Sequence, residues 1–389
     1  MISIHEAFSI LNEVDLPFKE IEISLANSSH YTLSETILSP ICMPPFRQSN
    51  MDGFALSLHD NLVYDIVGEV KAGDSKQITL QPGQAVKIFT GAAVPDTAQA
   101  VIQIEKVTVN GNQLLLQESV LPETNIRPLG SQIQKNDIAL EKGTFLNPAA
   151  IGFLTGLGFT SVKVYQKPTV AIITTGNELI AAGQPLKYGQ VYESNAMMLQ
   201  TALFDAYFRE VKLYQVDDDF ENTKATLKQA IENHDVVLVS GGISVGDYDF
   251  VNQALQDLNV ATLFYKVNQK PGKPLLVGKL KDKMIFALPG NPAASLTCFY
   301  IYVLPTLQRF SGINANYQST IQKHLTHDYV VNNVRCQFLK AIITAENVTI
   351  LPHQDSSMLD SFALANALVY MENGNYELAK GNKIAVYLL

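Results

Sequence analysis

The sequence predicts a multidomain α/β plus β protein. It comprises a doubly wound α/β domain, an inserted β domain, a helical and elongated N-terminal domain, and a C-terminal β domain. Three observations carry that expectation. Strand-like and helix-like apolar runs alternate between residues 166 and 312, the pattern of a mostly parallel sheet with helices on both faces. Short β-rich runs broken by Pro, Gly, Asp and Asn fill residues 38–136 and return over 313–389, as small β domains do. Finally, a chain of 389 residues exceeds one ordinary core, which implies roughly two to four domains.

The elements follow in order. Ile4, Ala7, Phe8 and Leu11 recur at helical spacing, so the chain opens with a helix. The runs "LVYDIVGEV", "QAVKIFTG", "AVIQIEKVTV" and "QLLLQESV" are strands, with "NGN" a hairpin turn, and together suggest a partly closed barrel or sandwich. In "NPAAIGFLTGLGF" a helix is expected after Asn147, with Pro148 in its first turn. Packed beside the first helix, it would make an elongated domain of residues 1–37 and 137–165, with 38–136 as an insertion. From 166 to 312, "TVAIITTG", "EVKLYQV", "DVVLVSGG" and "KMIFALPG" read as strands. "SNAMMLQTALFDA", "ENTKATLKQAIEN" and "NPAASLTCFYIYVLPTLQRF" read as helices. Pro305 and Gly312 close this unit. The tail, 313–389, holds the strands "FLKAIITAEN", "VTILP", "ALVYME" and "NKIAVYLL".

Composition removes several classes of function. A formal net charge of −9 argues against a nucleic-acid binder that works by phosphate neutralisation. Any anionic ligand must be held by a local basic cluster, by backbone N–H groups or through a metal. Cys42, Cys298 and Cys336 form no CxxC pair, so neither a disulfide framework nor a cysteine zinc site is expected, and reduced thiols suit the cytoplasm. The start, "MISIHEAFSILNEV", lacks the basic region of a signal peptide. The apolar runs are too short and too broken by glycine to span a bilayer.

Three loops at strand ends carry the chemistry: "TTGNELI" (174–180), "SGGISVGDYD" (240–249) and "LPGNPAAS" (288–295). In each a glycine follows an apolar strand, so backbone N–H groups can approach a ligand closely. Taken singly, each is also what a tight βα turn requires; three on one sheet edge favour a pocket. "GGISVG" lacks the Lys-Ser/Thr of a Walker loop, and glycines 241, 242 and 246 do not spell GxGxxG. Asp247 and Asp249 set carboxylates beside a loop suited to an anion, which a metal ion bridging loop and substrate would reconcile. Asn291 before Pro292 pairs a helix N-cap with a first helical residue. Lys270 and Lys273 flank Pro271 and Gly272; such a pair is usually a solvated surface, but beside a phosphate cradle it becomes a binding charge. In the β domain, "SNMDGFAL" holds Asp52 in what is equally an ordinary Asp-Gly turn, "FTGAAVP" places Thr90 at a strand end, and "NIRPLGSQI" adds Arg127. The tail contributes Arg335 and a polar loop at 353–357, while His324 and His327 have no nearby third ligand.

In order, "PPFRQSNMDGFAL", "FTGAAVPDTAQAVIQIE", "NIRPLGSQI", "TTGNELI", "GQVYESN", "SGGISVGDYDFV", "KPGKP", "LPGNPAAS" and "QDSSML…ALANAL" resemble the molybdopterin molybdenumtransferase family, bacterial relatives of the gephyrin E domain, over nearly the whole chain. The resemblance implies an α/β domain of molybdopterin-binding type. It also implies an elongated homodimer with a cleft between one subunit's α/β domain and the other's first and second domains. The implied reaction takes molybdate and adenylylated molybdopterin, releases AMP and delivers molybdenum to the dithiolene, with Mg2+ as metal. The molybdopterin adenylyltransferase is an implied partner; nucleic acid and membrane are not.

The matching positions give Asp52, Thr90, Glu178 and Asp249 as catalytic residues. Substrate would meet the N–H groups of Gly241, Gly242, Ser244 and Gly246, the loop Pro289, Gly290 and Asn291, and the side chains of Lys270, Lys273, Arg127, Arg335 and Ser356. Glu178 and Asp249 would face the metal with one of Asp218 and Asp219, an alternative the sequence leaves open. Four departures stand out. Ser131 and Gln132 replace an acidic pair, Pro128 and Leu129 a basic stretch, Asn177 a carboxylate, and "QDSS" lacks a glycine before its serine. Two other readings fit parts of the chain: a scaffold that binds molybdopterin or a protein without catalysis, for which Gln132 speaks, and a different nucleotide enzyme built on the same α/β domain.

Overall fold

The structure, a computed structural model of the 389-residue chain, describes every residue except 244–249. The chain forms two compact units. One comprises Met1–Ile21, His30–Thr32 and Val164–Leu389; the other comprises Glu22–Ser29 and Leu33–Lys163.

The first unit is built on a six-stranded sheet. Its order is Val211–Val216, Val170–Thr175, Val236–Ser240, Lys283–Leu288, Leu276–Leu280 and Ala261–Tyr265. The first four strands are parallel and the last two antiparallel. Period-two geometry sends alternate residues of one strand to opposite faces. Val170, Ile172, Val236, Leu238, Met284 and Phe286 pack with Leu199 and Leu203 of the helix Asn195–Asp205 and with Leu307 and Phe310. Ala171, Ile173, Val237, Val239 and Ile285 pack instead with the helices Phe220–Asn233 and Phe250–Asp257. The central strands are therefore buried on both sides, which is why they read as unbroken apolar runs. The doubly wound expectation holds, with an antiparallel edge pair that the sequence reading missed.

The first helix, Ile4–Glu13, begins as expected. Ser3 and Glu6 form a reciprocal capping box. Its partner differs from the expectation of a pairing with the later helix Pro148–Gly156. Ile4, Ala7, Phe8 and Leu11 join the α/β core, and Arg309 donates to the carbonyls of Leu11, Asn12 and Val14 at its C-terminal end. The single helix expected over 291–310 is three segments: Pro292–Cys298, a π-helical stretch Phe299–Val303, and Leu304–Phe310. Pro305 supplies no N–H for the helical ladder, which accounts for the wider turn before it.

The tail closes into a five-stranded barrel. Cys336–Ile343 pairs with both Asn347–Ile350 and Ala367–Met371, and Ile321–Leu325 and Lys383–Leu388 complete the ring. The short strand Gln269–Lys270 adds to it in parallel, opposite Cys336 and Gln337.

In the second unit the expected barrel or sandwich is one open six-stranded sheet. Phe54 and Leu56 of Gly53–Leu56 serve one apolar cluster, and Ala55 serves another. "NGN" is the expected hairpin: Asn110 pairs with Gln113 across Gly111 and Asn112. Asn147 caps the helix Pro148–Gly156 through Ala150 N–H at 2.9 Å. Among the described residues, no helix is long and apolar enough to cross a membrane.

Candidate functional site

At the carboxyl ends of the parallel strands, the loops after Thr175, Ser240 and Leu288 line a cleft of about 650 Å3 with Glu178, Asp218 and Asn195. Glycine is required there by crowding. Gly241 has φ +97°, and a Cβ on it would lie 2.6 Å from Thr175 O; one on Gly242, at φ +65°, would lie 2.6 Å from Val251 Cγ2. Gly241 N–H donates to Leu288 O at 3.4 Å. It is therefore engaged in the sheet, and this part of the expected anion cradle is corrected. Pro289, Gly290 and Asn291 all line the cleft. Ser244, Gly246 and Asp249 lie outside the described residues.

Asn195 escaped the sequence reading, although its segment was noted. It is 9% exposed, and its Nδ2 donates to Ser240 Oγ and Gly290 O, both at 2.7 Å. One amide thus ties two strand ends together. Its Oδ1 is buried without a partner among the described residues. The legible signal was a polar residue heading an apolar helix.

The structure separates the two aspartates. Thr175 Oγ1 donates to Asp218 Oδ1 at 2.6 Å, and Asp218 N–H donates to Asn177 Oδ1 at 3.1 Å. Asp219 Oδ1 instead accepts Asn222 N–H at 2.8 Å and caps the helix Phe220–Asn233. Asp219 Oδ1 thus serves as an N-cap, and of the two aspartates it is Asp218 that lines the cleft. Glu178 folds back over Gly176, where a Cβ would lie 2.8 Å from its Oε2. No group of three metal-ligating side chains gathers among the described residues. Three carboxylates among the described residues line the cleft, Glu178, Glu193 and Asp218, of which Glu193 accepts Ala196 N–H at 2.9 Å. Hard oxygens of this kind fit Mg2+, which takes one or two from the protein and the rest from phosphate and water.

Lys270 and Lys273 are exposed on either side of Gly272, and neither has an ion pair among the described residues. Pro274, next in the chain, lines the cleft. Arg335 braces this loop: its Nη1 donates to Gln269 O at 3.4 Å. Asn291 sits at the N-cap position, but its side chain does not cap the helix. Its Nδ2 donates to Ser356 Oγ at 2.8 Å, while Ala294 N–H donates to Ser356 O at 3.2 Å. Ser356 is so brought to a cleft-lining residue. Behind it sits Lys340, which the sequence reading missed inside an apolar strand. It is 3% exposed, and its Nζ donates to the carbonyls of His353, Asp355 and Met358 at 2.5, 3.3 and 2.9 Å. Burial draws its pKa below the usual lysine range, against the pull of Asp360 and Asp355.

In the other unit, Asp52 and Thr90 meet. Asp52 Oδ1 accepts both Thr90 N–H and Thr90 Oγ1–H at 2.7 Å, bonds that hold its carboxyl below the usual range. Arg127 Nη1 donates to Gln48 Oε1 at 3.1 Å, and Gln48 Nε2 donates to Gly91 O at 3.1 Å. Arg127 is thereby linked to the residue after Thr90. The Asp-Gly turn reading fails here, because Gly53 starts a strand. A larger cleft of about 750 Å3 around Asp74, Lys76 and Asp96 contains none of the candidate residues. Its Arg47 is bound to Ala98 O at 3.0 Å, so we place the chemistry elsewhere.

Comparison with known proteins agrees over the full length. Residues 2–158 match the MoeA N-terminal region (domain I and II), 171–309 a probable molybdopterin binding domain, and 324–389 the MoeA C-terminal region (domain IV). A molybdopterin molybdenumtransferase of Staphylococcus epidermidis is 32% identical over 100% of this chain and 95% of its own. One from Staphylococcus aureus is 29% identical over the same shares. The crystal structure of a molybdopterin biosynthesis moeA protein from Pyrococcus horikosii superposes with a TM-score of 0.85 at 29% identity, covering 100% of this chain and 99% of that one.

Proposed function

The chain belongs to the molybdopterin molybdenumtransferase family and acts in molybdenum cofactor biosynthesis, and from that premise we propose the reaction and its site. Molybdenum passes from molybdate to adenylylated molybdopterin, and AMP is released. The observation that carries this reading is the glycine-lined cleft, which combines Glu178 and Asp218 on its wall with a turn bearing Lys270 and Lys273 next to it.

Each residue has a task in this proposal. The bare floor at Gly242 and Gly290 lets a phosphate approach the backbone, which side chains would prevent. Lys270 and Lys273 supply the positive charge that a chain of net −9 must supply locally. Glu178 and Asp218, joined by Asp249, offer hard oxygens, and Thr175 fixes the rotamer of Asp218. Mg2+ bound there would offset charge developing on the leaving phosphate. Asp52 is oriented by both Thr90 bonds through Oδ1, so its Oδ2 is left to take a proton from water or from an oxyanion ligand. Arg127 adds a positive charge in the same unit.

The finer organisation belongs to the same proposal: a cytoplasmic homodimer, supplied with substrate by the molybdopterin adenylyltransferase. Its parts would be an inserted β domain (38–136), an α/β domain (166–312) and a C-terminal β domain (313–389), joined by the remaining N-terminal segments. The test is AMP release from adenylylated molybdopterin, with and without molybdate and Mg2+. Release that requires both, with molybdenum bound to the pterin, is the expected outcome. Tight pterin binding without AMP release would replace the enzyme by a scaffold and point first to Gln132.

A further inference from the structure

We propose that Gln269 is a positioning residue for this reaction: its buried amide locks the turn that carries Lys270 and Lys273, and so sets where both ammonium groups meet the substrate. The inference rests on the reading of those lysines as phosphate-binding charges.

Gln269 is 0% exposed in a core otherwise made of residues such as Phe8, Phe338 and Leu275. A buried amide is costly there unless its polar atoms are used, and those of Gln269 are. Its Oε1 accepts the hydroxyl of Tyr302, itself fully buried. Its Nε2 donates to Gly272 O at 3.3 Å and lies 3.6 Å from Cys298 Sγ. The main chain is fixed as well, by pairing with Cys336 and by Arg335 on its carbonyl. Gly272 closes the arrangement. At φ +88° it presses so tightly on this layer that a Cβ would lie 2.5 Å from Cys298 Sγ and 2.8 Å from Gln269 Nε2.

The turn is therefore fastened from beneath at Gly272, between the two lysines and directly before Lys273. Two neighbouring cations repel, and without a brace the turn would relax to separate them. A braced turn presents them at a fixed spacing before substrate arrives, which lowers the ordering cost of binding. The partners of this amide are the buried Tyr302 hydroxyl and the carbonyl of Gly272 in the turn itself. A methionine has similar volume and would pack there without an amide.

The experiment is a double-mutant cycle on steady-state AMP release by the full-length protein with adenylylated molybdopterin. Replacing both lysines (Lys270→Ala with Lys273→Ala) should raise KM by at least about tenfold. Gln269→Met should raise KM about fivefold with kcat within about twofold, the mark of lost binding rather than lost chemistry. Combining Gln269→Met with the two lysine replacements should add nothing further, because the amide acts through the lysines. Tyr302→Phe keeps the ring and removes only the hydroxyl; it should shift KM in the same direction, and it decides the matter if Gln269→Met does not fold. Should the lysine variant leave KM unchanged, the phosphate-binding role fails and the positioning role with it. Should the lysine variant raise KM while neither Gln269→Met nor Tyr302→Phe does, or should Gln269→Met raise KM equally without the lysines, only the positioning role is overturned.

Discussion

Asp235 shows how one side chain can be tied to stability and not to chemistry. Its Oδ1 meets Lys19 Nζ at 2.7 Å and Lys283 Nζ at 3.5 Å, while its Oδ2 accepts Thr169 N–H and Thr169 Oγ1–H at 3.0 and 2.9 Å. Burial pushes this carboxyl up, but Lys19 and Thr169 outweigh burial and hold it at about 2. A group with a depressed folded pKa contributes stability above its unfolded pKa and loses it as pH falls toward the folded value. Wild-type unfolding free energy should thus drop by about 1–2 kcal/mol between pH 4 and pH 2 from this group alone. Asp235→Asn should lower stability at pH 7 and flatten that slope; urea titrations at a series of pH values would read both. An unchanged slope would mean that other carboxylates govern the acid limb. Asp52 is the contrast. It is exposed, so its two Thr90 bonds orient a carboxylate without holding a core. Asp52→Ala should leave the unfolding midpoint in place and cut kcat by at least about a hundredfold. Wild-type turnover in that variant would remove Asp52 from the mechanism.

Gly53 shows the same divide at the level of an element. Its strand, Gly53–Leu56, lies between Gln84–Ile88 and Ala100–Gln103, and a Cβ at Gly53 would fall 1.8 Å from Ile102 O. No rotamer relieves a clash with backbone, so Gly53→Ala should destabilise this unit by about 3 kcal/mol. Thermal unfolding would show it, and a midpoint within a degree of wild type would contradict it. The sequence could not announce this, because Asp-Gly is also the commonest signature of a turn. Elements whose causes are local were legible: the Asn147–Pro148 helix start and the "NGN" hairpin formed as expected. The run "AVIQIEKVTV", however, read as one strand, is two, Ala100–Gln103 and Val107–Asn110, with a 3-10 turn Ile104–Lys106 between them. Elements whose causes are distant were not. The strand Ala261–Tyr265 is largely exposed at a sheet edge and lacks a clean apolar pattern. The first helix shows an apolar stripe whatever surface receives it, and only the folded chain reveals that the α/β core does. In the site, glycine loops and carboxylates were visible as residue types. Lys340 and Asn195 were not, because each works through carbonyls that no side-chain motif encodes.

On the scale of the whole molecule, the proposed chemistry draws on both compact units. Asp52, Thr90 and Arg127 belong to one; Glu178, Asp218, Lys270 and Lys273 belong to the other. If the homodimer has the cleft that the family resemblance implies, one subunit's Asp52 would serve the cleft of its partner. Two-fold symmetry then yields two equivalent sites, each assembled from both chains. Such an arrangement can be tested without knowing how the units are disposed. At substrate well below KM, Asp52→Ala subunits and Lys273→Ala subunits are each impaired alone, and each retains the residue that the other lacks. Mixed and allowed to exchange, half the dimers would be hybrids, and each hybrid would carry one site with both residues intact. Turnover should recover to about a quarter of wild type, while the mass in solution stays that of a dimer. If each site were instead built within a single chain, every site in the mixture would still lack one residue, and mixing would give only the average of the two impaired proteins. Recovery would locate Asp52 and Lys273 of one working site on different chains, and its absence in a verified hybrid would return both to one.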